Sequence, residues 1–182
     1  MKKVLVSFFA CAALCLLSPT LKASGETSSG ALTVTATVDP SISLTFHSDA
    51  SGVPLSAEDS AAATLAFGHV KAFGYTPATG VTQAVVAGAG VTSFSVATPF
   101  DVLVMKANTT SGDYSLTAGL NSVDSINTWT IDTKTIIGGA TQSITTAGVY
   151  GTGEVHTLKV VIPFSEAAGA VSNVINFVAT AN

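Results

Sequence analysis

The side chains best suited to acid–base chemistry are His47, His69 and His156, far apart in the sequence. Asp49 follows His47 by two residues, but the stretch around it is rich in Ser, Gly, Asp and Pro and reads as a solvated loop. His156 falls on the apolar face of an alternating segment near its end, where a hydrogen-bonded histidine at a strand edge is expected. No Gly-x-Ser-x-Gly elbow accompanies any of the three. Both cysteines, Cys11 and Cys15, come before residue 24, so the rest of the chain holds none for a zinc site. Asp124 and Asp132 make no calcium-loop pattern. The expectation is a protein that is not an enzyme and needs no cofactor or metal. Aromatic rings supply a different chemistry. Trp129, Tyr114 and Tyr150 could form a sugar-stacking platform, with Trp129 and Tyr150 as the candidate glycan contacts. Against that, Trp129 and Tyr114 sit in alternating segments where a core position is expected. Asn108-Thr109-Thr110 matches a glycosylation sequon and reads better as a turn.

The elements that would hold these side chains are strands. Ala31–Phe46 is two alternating runs joined by Asp39-Pro40. In the first, Leu32, Val34, Ala36 and Val38 share a face opposite Thr33, Thr35 and Thr37. In the second, Ile42, Leu44 and Phe46 share a face. A two-residue period marks a strand with one buried side. Pro40 cannot donate to a ladder, so the two runs are not expected to form one straight strand. Residues 47–60 read as a loop, 61–66 as the start of a short helix, and 64–70 as a strand interrupted at Gly68. Residues 84–87 form a short apolar run. Further strands are expected over 91–98 and 100–106, separated by Pro99, then over 113–120 and 128–137, with Trp129 and Ile131 inward. A last hairpin is expected from 155–164 and 173–181, with His156, Leu158, Val160, Ile162 and Phe164 on one face of its first strand. Many short strands with frequent turns and no long helical period predict an all-β antiparallel sandwich.

Residues 1–23 read as a secretory signal peptide. Lys2 and Lys3 precede an apolar run from Val4 to Leu17, Ser18-Pro19 breaks it, and Ala23 offers a small residue at the cut. Leu14 before Cys15 fits lipidation poorly, and Cys11 comes too early. Residues 24–30 (SGETSSG) form a flexible N-terminal segment, and 31–182 a single β-sandwich domain with 31–38 as a candidate donor strand. After Ala23 the chain has no Arg, and four lysines stand against 11 carboxylates. That acidity argues against nucleic acid and anionic lipid as partners, and no membrane insertion is expected once the signal is cleaved.

The run Leu32-Thr33-Val34-Thr35-Ala36-Thr37-Val38-Asp39-Pro40, followed by Ile42–Leu44, resembles the mature N-termini of bacterial fimbrial subunits, closest to the major pilins of class 5 (colonisation-factor-antigen type) fimbriae. The resemblance implies an immunoglobulin-like sandwich that lacks its final strand. A neighbour's N-terminal strand would fill the gap, pairing with the sheet edge and seating alternate side chains in pockets. Leu32, Val34, Ala36 and Val38 would be those side chains. Their burial would contribute on the order of 5–8 kcal/mol before ordering costs. Gly169 stands at the spacing from the C-terminus seen in many subunits handled by a chaperone and usher, but Ala181 replaces their penultimate Tyr. What the resemblance implies is therefore an exported structural subunit at the cell surface. Its partners would be copies of itself or other fimbrial subunits, with a periplasmic chaperone and usher. The alternative is a monomeric secreted β-sandwich that acts as an adhesin or glycan-binding module.

Overall fold

A computed structural model describes residues 29–74, 76–85, 90 and 92–182. The signal peptide and most of the 24–30 segment lie outside the described residues. The chain divides between Thr37 and Val38. In the first unit the described residues, 29–37, carry no strand and are all exposed.

The second unit is all β. Its strands are β1 (Ser41–His47), β2 (Thr82–Val85), β3 (Ser93–Ala107), β4 (Tyr114–Leu120), β5 (Thr128–Ile131), β6 (Lys134–Ile136), β7 (Gln142–Gly148), β8 (Gly153–Pro163) and β9 (Ile175–Ala181). They form two antiparallel sheets. The first runs β1-β3-β8-β5-β6, with β2 also on β3, and the second runs β7-β4-β9. The core lies between them. Val96, Phe100, Val102, Val104, Leu158, Val160 and Ile162 face it from β3 and β8, and Tyr114, Leu116, Ala118 and Leu120 from β4. The alternation of β3 and β8 produces this. From Phe94 to Val104 and from His156 to Ile162 every second side chain is buried, as a strand with one covered face requires.

β3 is the longest element, and its two ends name the two ends of the sandwich. At the Ala107 end, Ser41 of β1 lies opposite Ala107, and Tyr114 of β4 reaches Glu154 of β8. At the Ser93 end, Pro163 lies opposite Ser93, and Thr128 opposite Val161. Leu120 of β4 meets this end through a bridge to Gly138, just after β6.

Several elements differ from the sequence expectations. Residues 93–107 form one strand through Pro99. The Pro99 carbonyl faces Gly52, on the side of the strand where β1 stops at Asp101 and β2 at Ala97. The nitrogen of a strand residue points the same way as its carbonyl. The missing N–H therefore falls in the gap between β1 and β2 and costs no ladder bond. Residues 128–137 are two strands, because Asp132 adopts φ 54° and turns the chain into a β5–β6 hairpin. Residues 61–66 form no helix, and 64–70 form no strand beyond the Ser56–Thr64 bridge, with Gly68 at φ 71°. β7 has no counterpart in the periodicity reading. β8 and β9 belong to different sheets and make no hairpin. Phe164 lies past the end of β8 and is 39% exposed rather than in line with Ile162.

Candidate functional site

Of the three histidines, His156 and His47 are tied into the fold, while His69 is exposed at the border of an apolar groove. His156 is buried, and its Nδ1 lies 2.9 Å from Asp132 Oδ2. Asp132 Oδ1 accepts the Thr157 amide at 2.8 Å. Glu154 accepts Thr145 Oγ1–H at 2.6 Å and Tyr114 O–H at 3.1 Å. This clasp joins β8 of the first sheet to β4 and β7 of the second at the Ala107 end. Burial, and then the Glu154 charge, push the Tyr114 hydroxyl up to about 12. His156 Nε2 has no hydrogen-bond partner; the nearest carboxylate oxygen, on Glu154, is 3.9 Å away. Among the described residues no Ser or Thr hydroxyl bonds that nitrogen. His47 bonds Asp59 at 2.8 Å and Thr45 at 3.0 Å, which pins the 58–60 segment to β1. Asp49, two residues from His47, instead bonds Ser51. Among the described residues no group of three His, Cys, Asp or Glu is placed to hold a metal ion.

The aromatic candidates are separated. Trp129 is 6% exposed, with its ring in the core and its Nε1–H donating to Asp124 at 2.8 Å. Burial pushes the Asp124 carboxyl up, but bonds from Trp129, the amides of Asn127 and Ile126, and the Asn127 side chain hold it below the usual range. Tyr150 lies at the other end of the sandwich. Its ring packs 5.3 Å from that of Tyr114, with Lys106 Nζ 4.8 Å above it. Trp129 and Tyr150 therefore share no platform, and the Trp129 face is not presented to solvent.

The feature the sequence does not announce is a groove. β9 pairs with β4 on one edge, and among the described residues no strand pairs with its other edge. β1 ends the first sheet on the same side, and Phe46 meets Phe177 edge-on at 5.2 Å across the seam. Toward the Ser93 end the seam widens. Residues 61–70 border it on one side and 169–174 on the other, and neither segment forms a named strand. Between them lies a cavity of about 1220 Å³, floored by Val96, Phe100, Leu158, Val160 and Ile162. Leu65, Phe67, Val171 and Phe177 flank the floor and are only partly buried. Its floor side chains are only 1–7% exposed, so the volume is an apolar groove open to solvent above the core and not a void inside it. It also exceeds the roughly 300–1,000 Å³ of ordinary small-molecule pockets. In the sequence, residues 61–66 read as a helix start, 64–70 as a strand and 165–172 as a turn, and none of these signals marks the segments as its walls.

The N-terminal candidates have the opposite character. Residues 29–40 form no strand, and Leu32, Val34 and Val38 are 88%, 81% and 68% exposed. Ala36 is exposed as well. No protein-family model matches this chain, and no curated protein or solved structure matches it either.

Proposed function

We propose that this protein is an exported structural subunit of a fimbria or pilus-like surface fibre, with an incomplete immunoglobulin-like sandwich. Residues Leu32–Val38 of one copy complete the groove of the next. The observation that carries this reading is the combination of an unfilled apolar groove beside a free sheet edge with an exposed alternating segment of matching length. β9 offers seven residues, Ile175–Ala181, and Leu32–Val38 is seven residues long. Leu32, Val34, Ala36 and Val38 supply the apolar side chains the groove lacks, and the strand's backbone supplies the ladder partners β9 lacks. Asp39-Pro40 releases the segment from β1, since Pro40 cannot extend that ladder.

The test is a chain that begins at Asp39, offered a peptide of residues 31–38. Binding in the groove should raise its thermal midpoint in proportion to the logarithm of peptide concentration. A Val34→Asp peptide should not. The chain from Ser24 should form a ladder of polymers on an unboiled denaturing gel. A chain that stays monomeric at high concentration and ignores the peptide would refute strand exchange.

A further inference from the structure

The turns at the Ser93 end expose apolar side chains that the sandwich does not use. Val123 is 76% exposed, Ile126 55%, Ile137 50% and Val174 60%. Three turns bring them together. The Asn121 amide donates to the Val174 carbonyl at 2.8 Å, and the Leu120 amide to Ile137 at 3.2 Å. Gly138 sits so close to Val123 that no side chain would fit between them. The one carboxylate in residues 121–127, 137–141 and 172–174 is Asp124, which Trp129 and Asn127 hold inside the turn. The result is an apolar cap whose one charge is engaged by Trp129 and Asn127, and grouped exposure of this kind marks a contact surface. Val174 also lines the groove, so the cap continues into its mouth.

At the opposite end, Ser41 begins β1 beside Ala107. That end exposes Val149 (66%) and Met105 (48%). Only Asp39 and Pro40 separate Val38 from Ser41, a span of at most about 11 Å even when fully extended.

We propose that the cap of Val123, Ile126, Ile137 and Val174 docks against the Ser41 end of a second copy of this chain. The inference rests on the strand-exchange reading above. A copy whose Val38 lies at the groove mouth must bring its own Ser41 end within about 11 Å of the cap. Val38 then sits outermost and Leu32 innermost, so the inserted strand runs antiparallel to β9, which starts at the mouth with Ile175. The two surfaces are different patches of the same molecule. The contact is heterologous and extends into a filament rather than closing a dimer.

The experiment separates cap from groove. A Val123→Asp/Ile126→Asp chain should bind the 31–38 peptide as the parent does, with the same thermal shift. Its polymerisation should slow at least tenfold and its gel ladder shorten. Polymerisation at the parent rate overturns the cap contact while leaving strand exchange standing. Failure of the parent chain to bind the peptide removes both. A second measurement does not depend on those substitutions. Residues 24–182 contain no cysteine, so copies carrying Val123→Cys can be mixed with copies carrying Val149→Cys and oxidised. Disulfides between the two kinds of copy support head-to-tail docking. A predominance of Val123→Cys copies linked to one another overturns it.

Discussion

The ring of Tyr114 lies directly over the Cα of Gly148, its ladder partner across β4 and β7, so that a methyl group at residue 148 would overlap it. The register of the β4–β7 pair shifts just beyond this point, between Tyr114 and Leu116. The glycine thus admits the largest side chain of the second sheet into the core, where its hydroxyl reaches Glu154.

Gly148→Ala should therefore destabilise the fold by about 1–3 kcal/mol through overpacking. Chemical denaturation measures it. Combining the change with Tyr114→Leu should cost less than the sum of the two single changes, because the overlap disappears with the ring.

Tyr114 also predicts a response to alkali. Its folded-state value of about 12 stands above the ordinary 10.0, so the folded state holds that proton more tightly than the unfolded chain does. The corresponding stability is complete below about pH 10 and falls as the pH rises toward about 12. Tyr114→Phe should lose about 2 kcal/mol at neutral pH, the worth of a hydrogen bond to a charged group. Its stability should then decline less than the parent's over the alkaline window. A decline equal to the parent's would show that another group is responsible.

Asp132 combines a left-handed backbone with two side-chain bonds, to His156 and to the Thr157 amide. Asn tolerates that backbone and keeps one acceptor oxygen, while Ala has neither advantage. The expected order of stability is parent, Asp132→Asn, Asp132→Ala. The alanine variant should lose about 2–3 kcal/mol, read from urea midpoints. Equal losses in the two variants would mean the turn's backbone contributes nothing.

Trp129→Ala should cost about 3–5 kcal/mol, as for other large core deletions, and lower the thermal midpoint accordingly. Asp124→Asn should cost less and should remove an acid-dependent component. The depressed Asp124 carboxyl stabilises the fold above its unfolded value of 3.8, and that contribution disappears as the pH falls through the lower folded value. Comparing the two proteins between about pH 5 and pH 2 checks this.

Periodicity made much of this architecture readable. Ile42, Leu44 and Phe46, the alternating faces of 93–107, and His156 to Ile162 all lie on the sides their spacing implied, because a half-covered strand writes its burial pattern into every second residue. Three kinds of feature were not readable. Pro99 signals a break, yet whether a proline interrupts a strand depends on which neighbour its nitrogen faces, and that is a property of the sheet. Asp132 was hidden inside an alternating run, since one residue with positive φ leaves the period on either side intact. β7, with Thr, Ser and Ala on both faces, lacks the apolar contrast that announces a strand. The groove was illegible for a related reason. It is bordered by segments 61–70 and 169–174, whose short helix and strand signals do not become those elements, and by a β9 edge that, among the described residues, has no strand partner, which only the topology reveals. The buried positions of Trp129 and Tyr114, by contrast, followed from their places in alternating runs.

The ladder between β1 and β3 has one further consequence. It stays in register along the whole of β1, from Ser41 opposite Ala107 to His47 opposite Asp101. A tug on Ser41 along the strand axis, outward from the Ala107 end, loads all those rungs together in shear instead of peeling them one at a time. Tension entering through Asp39-Pro40 therefore meets the most resistant direction of that strand. Its mechanical endurance is then governed by the rate at which β1 tears free, not by the free energy of folding.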